Sequence, residues 1–247
     1  MQDDPLLTCL FYLNLSCFRE HHQSLAQEAV EKNWTQLDFL SRRVEGETRR
    51  RKDRATQRPI QAARFPILKT LAQFNWTWPQ KINRAQAQNL FRLCFLKDKT
   101  HVIFRGGAGL GKTHLATARA YEGCLAGHTV LFPTALDIVN TLAAAQSPHR
   151  LISELKQYIS PSIVLVDEPG SLPIDKTSAD WLFQVLSQRY ETGSTILTTN
   201  PTSKNWAKIF NHDATLTPAA RDRLLHPAKT IPSEGTSCRM KDQIQEP

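Results

Sequence analysis

Apolar and polar positions change their rhythm along this 247-residue chain. Up to about residue 64 the apolar residues Leu25, Ala29, Leu37, Leu40 and Val44 recur at helical spacing, and no stretch alternates with the period of two that a half-buried strand needs. Thr35, with Asp38 three residues on, is placed as an N-cap. Leu6 to Phe18 reads as a buried amphipathic helix: it is too short to span a bilayer, it contains Asn14 and Ser16, and Asp3 and Asp4 precede it where a signal peptide needs positive charge. Phe65-Pro66 ends the helical region, because the residue before a proline is pushed out of the α region. The stretch Leu71 to Pro79, with Phe74, Trp76 and Trp78, reads as a strap packed on the next domain, base stacking being the other use of such aromatics. Asn83 to Leu96 predicts one more helix.

From residue 101 the pattern becomes regular. Short apolar runs predict strands at 101–104, 129–132, 162–166, 194–198 and 228–231, and helical periodicity fills 112–125, 135–144, 150–158, 176–190 and 218–225. Alternation of this kind implies an α/β fold, a parallel sheet covered by helices on both faces. The domain boundaries are then a helical basic region over 1–64, a connector and helix over 65–98, the α/β domain over 99–241, and a polar, frayed tail over 242–247.

Charge alters the reading of the helical part. The formal net charge is +8, and residues 1–98 hold sixteen Lys and Arg against ten Asp and Glu, so most of the excess lies there. Between Arg42 and Arg64 nine basic residues meet three acids, Glu45, Glu47 and Asp53. A helix so dense in cations is either a solvated surface or a binder of phosphate backbones, and Arg42, Arg43, Arg49, Arg50, Arg51, Lys52, Arg54 and Arg58 are the candidate DNA contacts. Duplex is favoured over single strands, whose binders add stacking aromatics to the charge. The five cysteines are odd in number and form no C-x-x-C pair, the usage of reduced thiols in a cytoplasmic protein.

The chemistry is concentrated in two runs. Residues 106–113, Gly106-Gly107-Ala108-Gly109-Leu110-Gly111-Lys112-Thr113, match G-x-x-x-x-G-K-[ST], in which backbone N–H groups curl around phosphates and the lysine reaches the β and γ phosphates. Thr113 would hold Mg²⁺, and the helix that starts there adds its positive end. Ile163 to Val166 then closes in Asp167 and Glu168, at the strand end where ligands of a parallel sheet bind. Asp167 would hold Mg²⁺ through water, and Glu168 would orient and deprotonate the attacking water. Thr195-Ile-Leu-Thr-Thr-Asn200 ends in an amide that would face the γ phosphate if its strand lies beside that of Asp167; Pro201 fits an ordinary turn equally well.

As a set, Phe-Arg-Gly-Gly-Ala-Gly-Leu-Gly-Lys-Thr-His-Leu-Ala from Phe104, Val-Asp-Glu-Pro-Gly from Val166, Gln-Arg-Tyr-Glu-Thr-Gly from Gln188, Asn-Trp-Ala-Lys from Asn205 and Arg-Asp-Arg-Leu-Leu-His from Arg221 resemble the IstB family. These are ATP-binding helpers of insertion-sequence transposition, relatives of the DnaC helicase loaders among the AAA+ ATPases. Thr35 to Thr48 and Arg64 to Phe74 also resemble that family's helical N-terminal domain. The resemblance implies an AAA+ core with a five-stranded parallel sheet and a homo-oligomer with ATP between subunits. It also implies ATP contacts from Gly106 through His114, Arg223 as an arginine finger acting on a neighbour, and Arg239 as a second sensor. Gly107, Ala108 and Leu110 stand where the family has proline, proline and threonine, and Cys238 where it has tyrosine. The implied partners are duplex DNA and a transposase, with no membrane. A helicase loader on single-stranded DNA uses the same ATP site, and an adaptor that binds ATP without hydrolysis is the alternative of another class.

Overall fold

The computed structural model describes residues 4–77, 81–90, 92–145, 147–169, 175–190, 192–200, 228–235 and 237, which fall into two compact units, 1–58 and 59–247.

In the first unit α1 (Pro5–Tyr12) and α2 (Ser16–Glu31) precede α3 (Gln36–Ala62), which continues into the second. The sequence predicts one buried helix over Leu6 to Phe18; instead the chain breaks after Tyr12. Asn14 takes a positive φ of 54°, a conformation its short polar side chain tolerates. Only Leu10 of α1 is buried, while Phe11 and Tyr12 face solvent. The stripe Leu37, Leu40 and Val44 is likewise exposed. Polar groups join α2 to α3 instead. Glu47 is buried and accepts from the Cys17 N–H (2.9 Å), capping α2 from the side. Arg43 is 3% exposed, donates to the His21 carbonyl (2.8 Å) and stacks on Phe18 and Phe39. Its burial pulls the guanidinium below its ordinary pKa range.

The second unit is a sheet in the order β1-β6-β2-β5-β4-β3, with β1 Lys81–Ile82, β2 Val102–Gly106, β3 Val130–Leu131, β4 Ile163–Val166, β5 Ser194–Thr199 and β6 Lys229–Glu234. Five of these are the expected parallel strands. The sixth, β1, is a correction: it lies antiparallel to β6, Lys81 opposite Glu234. Two residues carry too short a pattern to announce a strand. A second correction concerns 83–96, where the expected single helix is two, α4 (Arg84–Leu90) and α5 (Cys94–Lys97), separated at Leu93 with φ 58°.

Period-two alternation assigns the sheet's two faces. Val102, Phe104, Ile163, Leu165 and Ile196 point to one core with α6 (Lys112–Leu125), joined by Phe74, Leu90 and Phe95 from the connector. Ile103, Val164, Val166 and Leu197 point to the other, beneath α7 (Ala135–Ala143), α8 (Pro148–Ile159) and α9 (Lys176–Arg189). Close approach is built in at Gly123 of α6, where a Cβ would lie 2.4 Å from Ile163 Cδ1. The described part of the aromatic strap packs as expected, with Phe74 buried edge-on against Trp76 and the His114 ring, while Trp78 and Pro79 lie outside the described residues. The expected helix at 218–225 and the tail at 242–247 lie outside the described residues.

His101, just before β2, is fully buried and accepts from the Thr195 N–H through Nδ1 (3.1 Å). Burial, and then the Arg189 cation, push it down to about 4. It is therefore neutral in the fold, while below about pH 6.5 the unfolded chain takes up a proton that the folded chain refuses. Stability that is complete above that pH should fall by about 1.4 kcal/mol per pH unit, to a loss on the order of 3 kcal/mol near pH 4. Urea unfolding of wild type and His101→Asn between pH 7.5 and 4 measures this; the variant, which keeps an acceptor, should lack that part of the slope.

Candidate nucleotide site

The loop between β2 and α6 turns on Gly109 and Gly111, with φ of 73° and 76°. Gly111 has a second reason to lack a side chain, since a Cβ there would meet the Phe74 ring at 2.6 Å. Lys112 and Thr113 open α6, whose unpaired N–H groups and dipole face the loop. The Lys112 side chain is 4% exposed; its ammonium donates to the Gly107 carbonyl (2.8 Å) and pairs with Glu168 Oε1 (3.1 Å). The Thr113 hydroxyl donates to Asp167, 2.8 Å from Oδ1 and 3.1 Å from Oδ2.

Asp167 and Glu168 follow β4 directly. Strict alternation would send their side chains to opposite faces of the sheet. Glu168 instead has a φ of 40°, uncommon for a residue with a Cβ. The extension is broken there, and its carboxylate comes back to Lys112. Thus the lysine, hydroxyl and two carboxylates expected from the sequence converge on one point. Thr113 and Asp167 place two hard oxygen donors side by side, a pair that fits Mg²⁺, an ion that keeps several waters and takes few protein ligands.

A cavity of about 440 Å³ opens over this point. Ala108 to His114, Thr117 and the acidic pair line it, together with Pro66, Ile67, Lys69 and Phe132. That size and mixed lining suit a nucleotide, with the loop's N–H groups and Lys112 for the phosphates and apolar side chains for the base. Sequence reasoning misses those four residues. Phe65-Pro66 reads as a helix stop and 129–132 as a strand, and only the folded path brings both to one cavity. His114 is expected at the phosphates; its Nε2 is engaged with the Thr70 carbonyl (2.9 Å), so it also ties α6 to the connector.

Asn200 is exposed immediately past β5, the neighbour of β4, at the same edge of the sheet. Arg223 and Arg239 lie outside the described residues. Of the basic set, Arg43 is occupied inside the first unit and is withdrawn as a DNA contact. Arg50 pairs with Glu20, Arg51 lies 3.7 Å from Glu47, and Arg42 stacks on Trp34 at 4.2 Å. Arg49, Lys52, Arg54 and Arg58 are exposed. Among the described residues no helix is long and apolar enough to cross a membrane.

A family profile described as IstB-like ATP binding protein matches residues 8–246. The chain is 33% identical over 231 residues to an ATP-binding protein of insertion sequence IS5376 from Geobacillus stearothermophilus, covering 94% of this chain and 92% of that one. It is 35% identical over 223 residues to the corresponding protein of IS21 from Pseudomonas aeruginosa, covering 90% and 84%. Among solved structures the DnaC helicase loader superposes with a TM-score of 0.53 at 18% identity, over 66% of this chain and 96% of that one. The replication initiator DnaA bound to AMPPCP and single-stranded DNA gives 0.52 at 19%, over 68% and 50%. At such identities the likeness is one of fold, the AAA+ fold.

Proposed function

Because the chain belongs to the IstB-like ATP-binding proteins of insertion sequences, we propose that it hydrolyses ATP with Mg²⁺ and, as a cytoplasmic homo-oligomer on duplex DNA, delivers a target to the transposase of its element. The observation that carries this reading is the acidic pair closing β4 against Lys112 and Thr113. A protein that only bound ATP would need the lysine and the loop; an added carboxylate at the γ-phosphate end of the cavity is what water activation requires.

The residues divide the work. Lys112 gives up its pair with Glu168 and carries its charge to the β and γ phosphates. That exchange frees the Glu168 carboxylate to take a proton from water. Thr113 and Asp167 hold Mg²⁺, which supplies charge neutralisation at the phosphates. Asn200 orients the water from the end of β5. Arg223 reaches the neighbouring subunit's γ phosphate and Arg239 senses the nucleotide in its own, so an isolated subunit turns over slowly. In the first unit Arg49, Lys52, Arg54 and Arg58 meet the DNA backbone, with Arg42, Arg50 and Arg51 beside them in their pairs.

Binding to labelled duplex and single-stranded DNA of equal length, with ATP, ADP and Lys112→Ala, at several stated salt concentrations, tests the reading. Tight duplex binding should need ATP and should vanish in Lys112→Ala. Replacing Arg49 and Lys52 together by Gln should weaken binding to all sequences alike and reduce the salt slope by about two, one for each phosphate no longer neutralised. Preference for single strands, or no binding until a helicase is added, would move the protein to the helicase loaders, and the absence of turnover would leave an ATP-bound adaptor.

A further inference from the structure

We infer that Thr198 of β5 is a positioning residue that sets both members of the acidic pair, and this rests on the hydrolytic reading of the site. Its hydroxyl accepts the Glu168 N–H (2.9 Å) and donates to Asp167 Oδ1. A hydroxyl has one proton to give, so this one has a single arrangement, toward the carboxylate and away from the amide.

The position comes from the sheet. β4 and β5 pair in register as far as Val166 opposite Leu197, so Thr198 stands beside the first residue after β4. There the backbone of β4 departs from extended geometry, with Glu168 at φ 40°. The ladder can no longer take the Glu168 N–H, and the Thr198 side chain takes it instead. Alternation along β5 puts Thr198 on the same face as Ile196, the face of α6. Asp167 Oδ1 is thereby held from two sides, by Thr113 from α6 and by Thr198 from β5. Thr198 itself is fully buried, so water does not replace either bond.

This arrangement gives Thr198 two separable effects. Through Asp167 it fixes a carboxylate that would hold Mg²⁺, and residues that hold metal ligands in this way change metal affinity or activity by about ten- to a hundredfold when removed. Through the Glu168 N–H it maintains an unfavourable backbone conformation that keeps that carboxylate on the phosphate side of the sheet. Thr195 and Thr199, on the opposite face, can do neither.

The test compares wild type, Thr198→Val and Thr198→Ser by titration of a fluorescent ATP analogue with and without Mg²⁺, and by steady-state turnover. Valine keeps the shape and β-branching while removing the hydroxyl. Thr198→Val should bind the analogue without Mg²⁺ within about twofold of wild type, which also reports an intact fold. It should lose about tenfold or more of the tightening that Mg²⁺ gives, and kcat should fall ten- to a hundredfold while KM for the Mg²⁺-nucleotide rises in step with the weaker binding. Thr198→Ser should restore both to within about threefold. A valine variant with a wild-type Mg²⁺ response, or a serine variant as impaired as valine, would overturn the inference, the second outcome assigning the effect to the methyl group. If wild type itself shows no turnover, the hydrolytic reading fails by itself, and the Mg²⁺ response still decides the role of Thr198 toward Asp167.

Discussion

Glu168→Gln should slow ATP turnover by at least about a hundredfold, the size of effect a positioned general base contributes, and should leave ATP binding intact. The glutamine keeps the length and the acceptor oxygen but cannot take a proton. Binding should be no weaker than in wild type, because Lys112 is now paired with the carboxylate at 3.1 Å and must leave it to reach a phosphate. With an amide there, that competition is weaker. The variant should therefore accumulate in the ATP-bound state and stay on DNA longer than wild type. Phosphate release measured beside analogue binding checks both halves. Normal turnover in the variant would remove Glu168 from the chemistry; loss of binding would make it a structural partner of Lys112.

Much of this site is legible before folding, for a physical reason. The phosphate loop and the strand-end acids are local patterns, each fixed within eight residues, and a short buried apolar run such as Ile163 to Val166 announces a parallel strand. Contacts between distant segments are not local. Pro66 and Ile67 join the cavity from the connector and Phe132 from just past β3, segments far apart in the chain. Charge is also misleading by itself. Nine cations in one stretch look alike in the sequence, yet Arg43 lies inside the first unit among Phe18, Phe39 and the His21 carbonyl. The apolar stripe Leu37, Leu40 and Val44 has the spacing of a core face and is exposed. Periodicity states which residues share a face, and packing alone states which face is covered.

Arg189 is, in the sequence, only one member of the Gln-Arg-Tyr-Glu block, and its replacement should be the most damaging change to stability. It is fully buried at the end of α9, with its guanidinium spread over five acceptors. Nη1 donates to the carbonyls of Tyr158, Ile159 and Pro161 at 2.9, 3.0 and 3.0 Å. Nη2 donates to the Ser194 carbonyl (2.6 Å) and Nε to the Thr195 hydroxyl (3.0 Å). These partners include no carboxylate. The charge is held by carbonyl dipoles, two of them at the C-terminal end of α8, where a cation is favoured. Burial pushes the guanidinium down to about 10, which still leaves it charged at neutral pH. One side chain thus ties the exit of α8 to the start of β5, the strand that carries Thr198 and leads to Asn200. Gly193 makes room for it, since a Cβ there would lie 2.8 Å from Nη2. Arg189→Met fills the space but leaves buried carbonyls without donors, each costing about 1–3 kcal/mol before any relaxation. The expected loss is on the order of 3–5 kcal/mol, a large part of an ordinary domain's stability. Arg189→Lys keeps the charge but not the planar fork, and should fall between the two. Urea unfolding of the three proteins measures this, and a methionine variant within about 1 kcal/mol of wild type would mean that the five bonds only compensate the desolvation of the charge. If the expected loss is found while ATP still raises the unfolding midpoint of the lysine variant, Arg189 is a support of the nucleotide site and takes no part in its chemistry.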